Sequence, residues 1–504
     1  MTYRFGMKSG DSSTVSLQVF TRIKQNSQKR RRMKNNILIY LLCLMPVAGV
    51  AQPEDSVIFS YTDFHQLIME NHPIVKQARL LSDQAVQELR MARGGFDPKI
   101  EVTWNKKSFK DTEYYNTFKG ALKIPVWFPV SPEIGIEQNS GEYLNPEKYI
   151  SETADYRQVY GGVSVTVGRG LFIDERRAVV KQALVFQEMA EYEQVKLINK
   201  LLLTASVDYW EWYYAYNNYR LAEQGIDIAS DIFDRTRMAF QYGEVAAIDT
   251  VQAFITWQKR KIEFQQADVE RMNAALKLSN HLWTASGMPL ELQDSAIPEV
   301  VMLTGTSEEE LTRLLDLART NHPELRKLEL KNEVLQIDQR LARENLKPRL
   351  DVGYYLLDQP FNADGDQTDV SLDNNYKVGL NFSFPLFLRK ERAKINQVEL
   401  KISDNNYERD FRERELINEI NSHYNQLVNT IQIATNQQQM VAGYNAIVAA
   451  ERLNLQNGES DLFKLNLQVD KLIEARSKLL KLNTTYKKNE AYLYWSAGVP
   501  TPLK

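Results

Sequence analysis

QYGEVAAIDTVQA, residues 241–253, and QNGESDLFKLNLQ, residues 456–468, carry the same Gly-Glu pair, as Gly243-Glu244 and Gly458-Glu459, at an offset of 215 residues. Around both, helix breakers are scarce. No proline stands between Pro146 and Pro289 or between Pro385 and Pro500. The only glycines within Leu171–Ser286 are Gly225 and Gly243, and within Leu386–Ala497 they are Gly443 and Gly458. Such stretches read as a long helix, a glycine break and a return helix, over about 172–242 and 244–286, and again over about 387–457 and 459–497. Apolar spacing agrees. Leu416, Ile420, Tyr424, Leu427, Ile431 and Ala434 alternate steps of three and four, as do Leu462, Leu465, Val469 and Leu472 past the break, which makes them coiled-coil seams.

The duplication extends outward. Asn71-His72-Pro73 returns as Asn321-His322-Pro323 and Asp97-Pro98 as Lys347-Pro348, at an offset of 250. Gly170-Leu171-Phe172 aligns with Pro385-Leu386-Phe387 at 215. The chain therefore reads as a first repeat over 60–287, a linker over 288–306 and a second repeat over 307–498, with extra residues in the first repeat as an insert at 109–156. At 1.5 Å per residue the long helix spans about 105 Å and its return about 60 Å. The opening helices, Asp63–Arg93 and Glu308–Glu344, at about 45 to 55 Å by the same rise, supply the missing length end to end with the returns. Thr306–Glu309 fits a capping box ahead of the second.

Four segments alternate apolar and polar residues, at about 99–107, 160–168, 349–358 and 376–386. A half-buried sheet under the helices would show the same period. A membrane wall fits their length, their aromatic ends at Tyr354, Tyr376, Phe382 and Phe387, and the Lys, Glu, Asn and Ser of the second face. Four strands cannot close a pore, and an open edge in lipid leaves backbone groups unpaired, so chains must share one barrel. The insert, with Lys119–Phe128 and Glu133–Asn139 between prolines and glycines, reads as an extracellular hairpin or lid, with extra barrel strands as the alternative.

Residues 1–51 have the parts of a secretory signal with an upstream extension: Lys29 to Arg32 and Lys34, then the apolar run Ile37–Val50, with Met33 as the expected start. They hold nine Lys/Arg and one acid, so their removal takes the formal charge from −3 to −11 and argues against a nucleic-acid partner. Cys43, the single cysteine, lies among them, leaving no thiol for a disulfide or metal site. Leu41 and Leu42 ahead of it do not fit a lipoprotein signal.

A signal, two tandem copies of helix, strand pair, long helix, glycine break and return helix, and the Asn-His-Pro and Gly-Glu segments together resemble the TolC family of outer-membrane efflux proteins over essentially all of residues 60–500. The fold class is thus read as mostly α with a membrane β-barrel portion, in two tandem helix-strand-strand-helix-helix repeats. The resemblance implies a homotrimer in which each chain gives four strands to a 12-stranded barrel in outer-membrane lipid, continued by a long periplasmic α-helical barrel. It also implies that Gly243, Glu244, Gly458 and Glu459 sit at the periplasmic tip, where a periplasmic adaptor (membrane fusion) protein and an inner-membrane pump dock. Family tips commonly place an apolar residue after the glycine, where this chain has Glu244 and Glu459. With Asp249 and Asp461 they suggest an acidic constriction, the alternative being a solvated acidic turn.

Catalytic patterns are missing. Histidines 65, 72, 281, 322 and 423 have no metal spacing, and His72 and His322, each before a proline, suit a helix break. Asn362–Asp369 superficially resembles a calcium loop without its twelve-residue ligand pattern. Neither a phosphate loop nor a nucleophile elbow occurs, so no enzyme activity, cofactor or metal is expected, and the energy for transport comes from a partner. The reading is an outer-membrane exit duct of a tripartite efflux or type I secretion system, passing small molecules or protein. The alternative is a periplasmic coiled-coil scaffold without a pore.

Overall fold

The computed structural model describes residues 57–152, 156–358 and 374–501. The signal segment, Met33, Cys43 and the Asn362–Asp369 stretch lie outside them. In chain order the elements are β1 (Val57–Phe59), α1 (Tyr61–Asn71), α2 (Pro73–Arg93), β2 (Lys99–Phe109), β3 (Thr112–Lys123), β4 (Val130–Ser140), β5 (Arg157–Gly168), α3 (Glu175–Gln241) and α4 (Ala247–Ser279). Then follow β6 (Ala296–Pro298), α5 (Glu308–Asn321), α6 (Pro323–Glu344), β7 (Arg349–Asp358), β8 (Tyr376–Ser383), α7 (Arg389–Gln456) and α8 (Leu462–Ser496).

Each opening helix is broken at its His-Pro pair, as the sequence suggested. Proline cannot donate a backbone hydrogen bond, and the residue before it is pushed out of the helical region. His72 and His322 take extended ψ values of 134° and 127°. Each then caps the helix it precedes: Nδ1 of His72 accepts from the Ile74 amide at 3.1 Å, and Nδ1 of His322 from the Glu324 amide at 3.2 Å. Burial, aided by His281 beside His72 and by Arg412 and Lys196 near His322, holds both imidazoles down at about 4, as a ring nitrogen that must accept a hydrogen bond requires.

The long helices form the spine. Near its start α3 buries Val180 and Ala183 against Leu89 of α2. Further along, Leu201, Tyr209 and Trp212 join Phe64 and Ile68 of α1 and Ala274 and Leu278 of α4 in one core. Thus α2 and α4 share the length of α3. In the second half Leu314 and Ala318 of α5, Ile420 and Leu427 of α7, and Tyr486 and Leu493 of α8 form the corresponding core. Charged contacts join the two halves: Glu324 of α6 receives Lys196 of α3 at 2.8 Å and Arg412 of α7 at 2.6 Å. Burial alone would raise the Glu324 carboxyl, but these two cations outweigh it and hold it at about 2.

The sheet corrects one expectation. It has six strands in the order β2-β3-β4-β5-β7-β8, each antiparallel to its neighbour, where two per repeat were expected. One chain's sheet thus has six strands rather than four, as the alternative of extra strands from the insert allowed. The additional pair, β3 and β4, comes from the insert, whose alternation is diluted by Gly120 and Gly135 and by charged residues. Lys110 and Asp111 both take positive φ, 52° and 60°, the twist a two-residue hairpin turn needs between β2 and β3. Separately, β1 pairs in parallel with β6, Val57 opposite Ala296.

Candidate functional site

Two places on this scaffold have the character of a site, the sheet and the tip. Side chains directly opposite one another in a sheet share a face, so the register decides what each face presents. Ile100, Leu122, Ile134, Gly161, Leu356 and Tyr376 lie in one row across all six strands. The row below it on the same face is Pro132, Val163, Tyr354 and Val378, and the next is Val130, Val165, Val352 and Leu380. Over these rows the face is apolar, and its outer strands are bare: Ile100 is 79% exposed, Trp104 67%, Leu380 69% and Phe382 65%. Gln138, Arg157 and Asp358 end the apolar band on the side remote from the helices. The first row starts near the helix end of β2 and finishes at the opposite end of β8, the stagger that tilted barrel strands show.

The other face is polar. Lys123 stands beside Glu133, Lys119 beside Glu137, and Thr166 beside Asp351. Lys119 lies 3.1 Å from Glu137 and 3.7 Å from Glu133, and Lys123 lies 2.7 Å from Glu101. The Tyr160 hydroxyl donates to Glu133 at 2.7 Å. Its ring covers Gly135, where an added Cβ would stand 2.5 Å from the ring and 2.6 Å from the Gly120 carbonyl oxygen. Glycine is needed there because the neighbouring strand and ring come too close for any side chain.

At the tip, α3 ends at Gln241 and α7 at Gln456, and both hairpins reverse through a glycine at φ 77°, Gly243 and Gly458. Nothing lies within 4 Å of a Cβ placed on either, so backbone conformation alone requires glycine there. Glu244 and Glu459 are exposed. Asp249 and Asp461 instead hold the starts of the return helices. The Asp249 carboxylate accepts from the Ala246 amide at 3.1 Å, and Asp461 caps α8 by accepting from the Lys464 amide at 2.8 Å. Among the described residues no group of three or more His, Cys, Asp and Glu is placed to hold a metal ion.

Sequence reasoning missed a link between the two hairpins above the tip. Arg260 of α4, 5% exposed, pairs with Asp470 of α8 and with Glu263 at 2.6 Å, while Lys259 reaches Asp470 at 3.1 Å. Gly225 makes room, since a Cβ there would meet Ile473 at 3.3 Å and Arg260 at 3.6 Å. Gly225 inside a 67-residue helix was the one available signal. A second missed feature is an open seam on α4. Ile248, Val251, Ile255, Ile262, Val269 and Leu276 repeat in steps of three, four and seven, and all are more than half exposed. On α7, Ile433, Met440 and Ile447 form a similar bare stripe seven residues apart.

The chain is similar to known proteins in sequence and in fold. Residues 314–499 match the model of the outer membrane efflux protein family. The chain is 23% identical over 451 residues to the alkaline protease secretion protein AprF of Pseudomonas aeruginosa, covering 88% of this chain and 86% of that protein. Among solved structures it is similar to the CmeC outer membrane channel of Campylobacter jejuni, with TM-score 0.60 and 13% identity over 93% of this chain and 96% of that one. It is likewise similar to the outer membrane protein VceC of Vibrio cholerae, with TM-score 0.60 and 12% identity over 88% and 96%. Residues 314–499 thus resemble the outer membrane efflux protein family, and the chain as a whole shares the fold of the CmeC and VceC channels.

Proposed function

We propose that this protein is an outer-membrane exit duct, a passive channel that takes cargo from an inner-membrane pump through the periplasm to the exterior. The observation that carries the reading is the two-faced sheet. Among the described residues no helix packs across the apolar face, as a sheet buried in a periplasmic scaffold would require. No described helix is long and apolar enough to cross a membrane. An apolar outer face backed by a charged one is what a barrel wall in lipid requires.

One chain leaves β2 and β8 as open edges, whose unpaired backbone groups would cost several kcal/mol each in a bilayer. Copies of the chain close the wall, and a homotrimer is the assembly we favour. The bare seam on α4 and the stripe on α7 are the surfaces by which neighbouring helices pair into a periplasmic tube. In this reading residues 60–287 and 307–498 are copies of one unit joined by 288–306. Gly243, Glu244, Gly458 and Glu459 form the tip that meets the adaptor. Glu244 and Glu459 of several copies, with Asp249 and Asp461 beneath them, set the charge of the narrow end. Transport is driven by the pump, and this chain carries out no reaction.

The test is extraction and capture. Detergent-requiring, heat-modifiable trimers in the outer-membrane fraction that co-purify an adaptor and a pump support the duct. A soluble periplasmic monomer supports the scaffold instead.

A further inference from the structure

We propose that β3 and β4 are strands of the membrane-crossing wall, so that each chain contributes six strands and the pore carries a belt of charge at Lys119, Glu133 and Glu137. The inference rests on the exit-duct reading and extends it. An extracellular lid would leave the sheet at the end remote from the helices and return there. This hairpin does the reverse. The chain leaves α2, climbs β2, turns at Lys110-Asp111, and descends the whole of β3 to Lys123, opposite Lys99 where β2 began. The connection from β3 to β4 is therefore at the helix end, and its Trp127 ring sits 5.3 Å from Phe96 at the end of α2. From there β4 climbs again.

At 12 and 11 residues, β3 and β4 are long enough to cross a bilayer. Their outward side chains Leu122 and Ile134 continue the apolar row of Ile100, Leu356 and Tyr376, Phe118 stands beside Trp104 and Ile136 beside Val159, and Ile134 is 58% exposed. Lipid is the occupant that this band fits, because it covers the remaining strands of the same continuous sheet. Charges on the opposite side of the hairpin pair among themselves rather than with helices, as groups in a wet lumen do. Three such chains close eighteen strands, and barrel diameter grows roughly linearly with strand number, so the outlet is about 1.5 times as wide as one of twelve. That width suits bulkier cargo than a twelve-stranded outlet would pass.

Single cysteines in a Cys43→Ser background, reconstituted in liposomes and exposed to a membrane-impermeant maleimide, test this directly. Leu122→Cys and Ile134→Cys should be as protected as Val378→Cys and Leu380→Cys on β8, with Lys119→Cys and Glu137→Cys labelled. Ile136→Cys replaces either outward site if heat-modifiable trimers fail to form. Labelling of the outward hairpin sites while β8 stays protected overturns the inference and leaves the duct standing. Labelling of all outward sites overturns both. Electron cryomicroscopy of the same trimers should count eighteen strands, and a twelve-stranded barrel with a detached hairpin sinks the proposal.

Discussion

Arg260 of α4 and Asp470 of α8 face each other across the boundary between the two helical hairpins, with the guanidinium almost wholly buried. A buried cation that loses its partner is destabilising, and here Asp470 is about a third exposed, which softens the loss. Asp470→Ala is expected to cost about 1 to 3 kcal/mol locally. Hydrogen exchange checks it: peptides around 225–232 and 465–475 should exchange faster while the aromatic core around Tyr209 stays protected. Unchanged exchange at both would show that the pair holds nothing together.

The reversal glycines give a second test. With open space around them, Gly243→Ala and Gly458→Ala pay only for a left-handed backbone, about 1 to 2 kcal/mol each. Asparagine, which tolerates that conformation, should recover most of the loss in a thermal melt. A full-sized loss with asparagine would point to an unseen contact.

Acid should loosen the helix breaks. Each imidazole titrates near 4 in the folded chain against about 6.5 unfolded, so the unfolded state binds the proton first. Stability attributable to His72 and His322 is thus whole above about 6.5, declines as pH drops, and is lost by about 4. At about 1.4 kcal/mol per unit the shift amounts to about 3 kcal/mol per site. His322→Asn keeps a capping oxygen and does not titrate. Its melting temperature should vary less between pH 7 and pH 4.5 than that of the parent.

The bare seam on α4 predicts the result of Ile255→Asp with Ile262→Asp. Both side chains are more than half exposed in one chain, so the change leaves its fold intact by circular dichroism. Light scattering in detergent should then report monomers in place of the assembly. An intact assembly would move the contact surface elsewhere.

For the tip, Glu244→Gln with Glu459→Gln should alter single-channel conductance or block by divalent cations in planar bilayers, because both side chains are exposed to solvent. Asp461→Ala should instead act on stability, by about 1 kcal/mol, as the loss of a helix cap. Wild-type conductance in the double variant would reduce the acids to solvated turn residues.

What could be read from residues alone follows from how local each cause is. The helix reversals were legible because a glycine with no neighbour within 4 Å is dictated by its own backbone. Leu416, Ile420, Leu427 and Ala434 are buried, since a seam is written in spacing along a single helix. The strands β3 and β4 were harder. Their apolar face includes Gly120, and Gly135 on the opposite face is explained only by its neighbours across the sheet, the Tyr160 ring and the Gly120 carbonyl. Asp249 and Asp461 were legible as acids near the reversals, but the backbone amides their carboxylates accept from were not. Arg260 and Asp470 are 210 residues apart, and no periodicity connects them.

The smallest element has a kinetic consequence. Val57–Phe59 docks beside Ala296–Pro298, and the Phe59 carbonyl receives the Tyr209 hydroxyl at 2.8 Å, so this short ribbon lies over the aromatic cluster of Tyr61, Phe64 and Tyr209. Its two halves are separated by 239 positions, Val57 to Ala296. A chain emerging from a translocon therefore keeps those rings uncovered until well past its midpoint, a sticky interval during which a chaperone and a wrong neighbour compete for the same surface.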